Sequence, residues 1–268
     1  MKKTEDITLK KTNIEINYED WISDKNEITI VILHWWGGSS QSWLTVWELL
    51  FQSWFNVIVP DLPGFGKTKL EKVFDVEEYT TVVEEFIKEL GLENIILWGH
   101  SNGWAISIKI ANRWKVNIRR LVLNNSAWIR NDNKRSLKRK VLNSLTKIIK
   151  KIIYFIPSPI RRGLGWGYLR ELFYRIIWWQ DYLEAEKNPF LKQTYLNVIK
   201  ADLSDELHKI KQDTLLIWWR NDTYTPLSDW MTMRNKIKFS KIIILENEKH
   251  WIHLTSPEKL VHTFLNNI

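Results

Sequence analysis

Three residue types that together can carry nucleophilic catalysis fall at the ends of apolar runs in this chain: a serine, an aspartate and two histidines. Ser101 lies in Gly99-His100-Ser101-Asn102-Gly103, after the apolar run Ile95-Ile96-Leu97 and before the periodic stretch Ala105–Ala111. The pattern reads as strand, very tight turn, helix. A serine at the apex of such a turn takes up strained backbone geometry, and the glycines two residues to either side let strand and helix pass closely. Its hydroxyl is then held above a helix N-terminus, where backbone N–H groups and the helix dipole favour a developing anion. A G-x-S-x-G pattern alone often arises by chance. Its place between a buried strand and a helix identifies a nucleophile elbow.

A serine nucleophile needs a base, and the base needs a group that orients it. In parallel sheets such groups collect at the C-terminal ends of strands. Asp222 falls just past the apolar run Thr214–Trp218. His250 and His253 fall just past Ile242–Leu245. A lone histidine among the six in the chain is more often structural or solvated than catalytic. Three fitting positions in the order Ser, Asp, His are much harder to obtain by accident.

The elements that must position these groups can be read along the chain. Ile14–Tyr18 alternates and predicts an edge strand, while Ile28–Leu33 is a continuous apolar run suited to a sheet buried on both faces. A helix is expected from Gln41 to Ser53, then a buried strand over Phe55–Val59. Asp75 with Glu78 makes a capping-box start for a helix running to Leu90, with Gly91 after its end. Arg120–Asn124, Thr214–Trp218 and Ile242–Leu245 supply further strands, and Ser256-Pro257 opens a last helix. Alternating strands and helices predict an α/β fold, a mostly parallel sheet covered on both faces.

Length and charge narrow the function classes. The 268 residues suit one large domain with an insertion, or two small ones. No apolar run approaches the roughly 18 residues of a membrane span. The charged start Met1–Asp6 has no apolar segment of a signal peptide, so the cytoplasm is the default location. With no cysteine, neither a disulfide nor a thiolate-ligated metal is available. A net charge of +8 is by itself a statement about solubility and association, and no nucleic-acid site is read from it. Gly66-Lys67-Thr68 resembles the end of a phosphate-binding loop, but Asp61 stands where that loop needs its first glycine. Nucleotide binding is rejected, and no cofactor or metal is expected.

Over almost its whole length the chain resembles the α/β-hydrolase superfamily. The resemblance rests on Leu33-His34-Trp35-Trp36-Gly37-Gly38, on Asp61-Leu62-Pro63-Gly64-Phe65-Gly66, on the elbow, on Asp222 with Pro226, and on His250. It implies Ser101 as nucleophile, His250 as general base and acid, and Asp222 as orienter. It also implies an oxyanion hole made by the backbone N–H groups of Trp36 and Asn102. His253 would be structural, and Asp61 a loop residue buttressing the site. The resemblance further implies a hydrolase core over 1–129 and 212–268, with a helical lid inserted over 130–211. Basic residues from Lys134 to Lys151 there alternate with Leu137, Val141, Leu145, Ile149 and other apolar positions, an amphipathic helical pattern. A solvated basic face is the preferred reading, and docking on anionic lipid the sharper alternative.

The composition holds 17 tryptophans against 10 glycines, where average usage of about 7% would give roughly 19 glycines. Trp54 and Trp114 follow predicted helix ends, where left-handed geometry favours glycine. Trp35, Trp104 and Trp219 stand at glycine positions of the family pattern. These five are expected to be UGA codons that the source organism reads as glycine. In function, the sequence points to a cofactor-independent serine hydrolase acting on a small-molecule acyl substrate, with carboxylesterase the leading activity. Aminopeptidase, thioesterase, carbon–carbon hydrolase and perhydrolase chemistry fit the same triad. A non-catalytic binding scaffold is the alternative of a different class.

Overall fold

The computed structural model describes residues 2–125, 185, 188–220, 222, 227–246, 248 and 250–268. The basic amphipathic stretch from Lys134 to Lys151 lies outside them, as does most of the expected lid. Along the described chain the elements are β1 (Lys2–Thr8), β2 (Glu15–Trp21), β3 (Ile28–Leu33), α1 (Leu44–Gln52), β4 (Phe55–Pro60), α2 (Val76–Glu89), β5 (Ile95–His100), α3 (Gly103–Arg113) and β6 (Ile118–Asn124). Then come α4 (Pro189–Val198), β7 (Thr214–Trp219), α5 (Leu227–Lys236), β8 (Ser240–Leu245), α6 (Ile252–Thr255) and α7 (Pro257–Leu265). The strands form one eight-stranded sheet in the order β1-β2-β4-β3-β5-β6-β7-β8. β1 and β2 run antiparallel to their neighbours, and the other pairs are parallel.

The buried strands alternate between two cores, as the two-residue period of a strand requires. Val31 and Leu33 of β3 pack on one face with Phe86, Ile106 and Leu121, while Ile30 and Ile32 pack on the other with Trp47, Leu50 and Phe264. Helices α2 and α3 cover the first face; α1 and α7 cover the second. Parallel pairing aligns Leu33 with Gly99, His100 with Asn124 and Asn124 with Ile217, so the C-terminal ends of β3, β5, β6 and β7 share one edge. α4 docks on this edge: Phe74 N–H donates to Thr194 Oγ1 at 2.8 Å, and the Tyr195 ring stands 5.0 Å from that of Trp36.

Two expectations need correction. The strand at Ile14–Tyr18 exists as β2 but is not an edge; β1 lies outside it. β1 is composed of Lys2-Lys3-Thr4-Glu5-Asp6-Ile7-Thr8 and carries almost no apolar signal, so only its pairing with β2 makes it a strand. The expected helix at Gln41–Ser53 begins as a 3-10 turn over Ser40–Trp43 before α1. The capping box at Asp75 forms in full: Asp75 accepts from Glu78 N–H, and Glu78 accepts from Asp75 N–H.

The five suspect tryptophans divide by backbone. Trp54 (φ 69°) and Trp114 (φ 56°) are left-handed, at the ends of α1 and α3, and are 70% and 60% exposed. Trp35, Trp104 and Trp219 are buried and have no left-handed backbone. The indole N–H groups of Trp104 and Trp219 lack an acceptor among the described residues. Trp43, which is not among the five, shares that defect, so backbone and exposure are what separate 54 and 114 from the rest. A side chain in left-handed geometry costs roughly 1–2 kcal/mol, and exposed rings return little packing. Trp54→Gly and Trp114→Gly should each raise the thermal midpoint by a few degrees in differential scanning calorimetry. Trp219→Gly, which empties a buried site in β7, should lower it.

Candidate active site

Ser101 follows the last residue of β5 with φ 48°, the strained geometry expected of an elbow. The flanking glycines are there for space. A Cβ on Gly99 would lie 2.6 Å from Ser107 Oγ, and one on Gly103 would lie 2.3 Å from Leu33 O. Strand β5, helix α3 and the end of β3 can therefore approach only where both positions lack side chains. Ser101 N–H donates to Asn124 O at 3.3 Å, which ties the turn to β6.

Asp222 and His250 meet. His250 Nδ1 lies 2.7 Å from Asp222 Oδ2, and both side chains are buried. The Asn125 amide donates to the same carboxylate oxygen. The His250 ring stands 5.1 Å from that of His100, the residue before Ser101, so the loops after β5, β7 and β8 converge. His253 is separate in kind. It is buried between Trp35, centroid distance 4.3 Å, and Trp43, stacked at 4.8 Å. Neither of its ring nitrogens has a hydrogen-bond partner among the described residues.

The loop after β3 is held by side chains whose donors and acceptors can be assigned. Leu62 N–H donates to His34 Nε2 at 3.0 Å, so that nitrogen is bare. His34 Nδ1 therefore carries the proton and donates to Trp35 O at 2.8 Å. Gly38 N–H donates to the same carbonyl at 3.1 Å. The carbonyl of Trp35 and the N–H of Trp36 belong to one planar peptide and point in opposite directions. Anchoring the oxygen thus fixes where the Trp36 N–H points. Asp61 clamps the loop from the other side, accepting from Ser40 N–H at 2.7 Å and from Lys67 N–H at 2.8 Å. Gly66 (φ 56°) must lack a side chain, because its Cβ would meet Asp61 Oδ2 at 2.0 Å. The Gly66-Lys67-Thr68 turn is thus folded around a carboxylate. Neither Trp36 N–H nor Asn102 N–H is engaged by an acceptor among the described residues.

Sequence reasoning missed the roles of His34, His100, Asn124 and Asn125. The last two had a signal, since a polar Asn-Asn pair ends the otherwise apolar β6 run Leu121-Val122-Leu123.

Burial keeps the surrounding imidazoles neutral. His100 is pushed well below the usual histidine range, first by burial and then by His253, His250 and His34. His34 is lowered by burial against the opposing hydrogen bond to Trp35. His253 is pushed down to about 3 by burial and then by His250. A histidine depressed in the folded state takes up its proton on unfolding, so its cost to stability begins below the unfolded value near 6.5. His253 should cost about 1.4 kcal/mol per pH unit as pH falls from 6.5 towards its folded value of about 3. Thermal midpoints of the protein and of His253→Phe, compared from pH 8 to pH 5, should diverge below pH 6.5, with the variant falling less steeply.

Comparison with known proteins identifies the family and the fold. Residues 30–263 match the model of the alpha/beta hydrolase family. A 2-hydroxy-6-oxononadienedioate/2-hydroxy-6-oxononatrienedioate hydrolase of Escherichia coli is 24% identical, the alignment covering 98% of this chain and 97% of that protein. An (E)-2-((N-methylformamido)methylene)succinate hydrolase of Acinetobacter baylyi is 24% identical over 86% of each. Among solved structures, an esterase from Exiguobacterium antarcticum shares the fold with a TM-score of 0.72 at 20% identity, over 97% of both chains. The family match runs from within β3 to within α7, more than four-fifths of the chain, and the chain belongs to the alpha/beta hydrolase family.

Proposed function

We infer that the protein is a cofactor-independent serine hydrolase that cleaves an ester, or a related acyl bond, through Ser101, His250 and Asp222. The observation that carries the reading is the 2.7 Å contact between His250 Nδ1 and Asp222 Oδ2 beside a left-handed serine elbow. In this reading Asp222 holds Nδ1–H, so that Nε2 takes the proton of Ser101 as Oγ attacks the substrate carbonyl. The oxyanion would be received by the N–H groups of Trp36 and Asn102, the first oriented by His34. His250 then returns the proton to the leaving group, leaving an acyl-enzyme. Water, deprotonated by the same histidine, hydrolyses it. Fixed donors at a buried site stabilise the developing charge without solvent reorganisation.

A carboxylic ester of a small molecule is the leading substrate class, and a lid over 130–211 and a cytoplasmic location belong to the same proposal. Among the described residues no helix is long and apolar enough to cross a membrane. Carbon–carbon bond hydrolysis is the second reading, favoured by the full-length likeness to the Escherichia coli enzyme. A short-chain nitrophenyl ester tested beside a 2-hydroxy-6-oxo-dienoate separates the two by the ratio of kcat/KM.

Ser101→Ala should lower kcat on the nitrophenyl ester by about 10⁴-fold and abolish labelling by a fluorophosphonate, with the thermal midpoint nearly unchanged. His250→Ala should cost a similar factor. His253→Ala should lower stability while costing far less in rate per folded molecule. An indispensable His253 would overturn the assignment of the base.

A further inference from the structure

β6 ends on Asn124, Asn125 follows directly, and their side chains part company. Asn124 lies beside His100 in the parallel register of β5 and β6 and is completely buried. The Trp98 indole N–H donates to its Oδ1. An indole nitrogen can only donate, so the oxygen of the amide must face it and the NH2 must face the other way. That NH2 lies 2.9 Å from His100 Nδ1. The NH2 can only donate, so His100 Nδ1 must be bare and its proton must sit on Nε2. Asn125 is also completely buried and left-handed, with φ 43°. Its N–H donates to Ile217 O at 3.1 Å, and its amide donates to the Asp222 oxygen that meets His250.

We propose that Asn124 and Asn125 are positioning residues for the proton-transfer half of the site, Asn125 by holding the Asp222 carboxylate against His250 and Asn124 by fixing His100 as the neutral Nε2–H form. The inference rests on the triad reading above. Its physical content is that His250 must gain and lose a proton 5.1 Å from another imidazole. A second imidazolium there would oppose that step, and a tautomer lock keeps the neighbour uncharged. The titratable groups facing the cluster are His34 after β3, Asp222 after β7, and His253 in α6; Asp61 faces His34. His100 and His253, the two histidines that face His250, are both held neutral, and the Asp222 carboxylate is in contact with it.

The test combines substitution of each asparagine with spectra that report the imidazole tautomer. Asn125→Gly deletes the amide while suiting the left-handed backbone. Asn124→Asp keeps the shape, but its ionised carboxylate can donate nothing to His100 Nδ1. Both should fold, and on the nitrophenyl ester each should lower kcat by about ten- to a hundredfold with KM within about twofold, the scale of one hydrogen bond to a charged or proton-transferring group. Long-range 15N–1H correlation spectra of the unmodified protein should show His100, identified by its loss in His100→Gln, protonated on Nε2 at neutral pH. In Asn124→Asp that proton should move to Nδ1. A protonated Nδ1 in the unmodified protein overturns the inference, as does an unchanged kcat in both variants. If neither variant folds, the spectrum of the unmodified protein decides alone. Ser101→Ala distinguishes the two levels: retained hydrolysis sinks the triad reading, whereas an inactive Ser101→Ala with fully active asparagine variants sinks this inference only.

Discussion

The approach of Gly103 to the carbonyl of Leu33 sets the geometry of the functional edge. With a Cβ only 2.3 Å from that oxygen, any side chain at 103 would push α3 away from the end of β3. The residue after Leu33 begins the loop that carries Trp36, and the residue two before Gly103 is Ser101. The distance between Ser101 and the backbone N–H of Trp36 is therefore set by backbone contact, which cannot relax by a change of rotamer. Gly99 does the same between β5 and α3, with Ser107 Oγ and Gly103 O occupying the space a side chain would need.

Around this fixed backbone, polar neighbours settle the tautomers of two buried histidines without any net charge on them, although the His100 Nε2–H so fixed has no acceptor among the described residues. His34 and His100 are both buried and both neutral, yet carry their protons on opposite nitrogens. In His34 a backbone N–H occupies Nε2, and in His100 a side-chain NH2 occupies Nδ1. Each tautomer is dictated by a group that cannot accept a proton. Such networks are costly when incomplete, because an unpaired polar atom in a dry site loses its water without replacement. His253 shows the alternative, an imidazole kept as an aromatic filler between two indoles.

What the sequence revealed and what it hid follow from the range of the forces involved. The elbow, the capping box at Asp75 and the glycine after α2 are set by residues a few positions apart, and all appear where their local pattern puts them. Asp222 and His250 could be placed because each follows an apolar strand by a short loop. The contact of Asn124 with His100 could not, because it depends on the register of β5 against β6. β1 was hidden for a different reason. Its sequence has no apolar face, and its existence is owed to seven paired positions on β2. The left-handed backbones at Trp54 and Trp114 were visible from helix ends alone, whereas the burial of the indoles at 104 and 219 depends on packing between distant elements.

That polar first strand has a role in keeping molecules apart. An outermost strand exposes a row of unpaired peptide groups, a template on which a second sheet can grow. If β2 were outermost, its consecutive buried positions Ile16, Asn17, Tyr18, Glu19 and Asp20 would lie open to such pairing. β1 instead presents Lys3, Thr4, Asp6 and Thr8 to solvent, with Lys3 and Glu5 paired at 3.6 Å along the strand. A neighbouring strand docking there would have to strip water from charges of both signs. The chain thus finishes this end of its sheet with a strand able to pair inward and poorly suited to pair outward, a safeguard against aggregation encoded in its first eight residues.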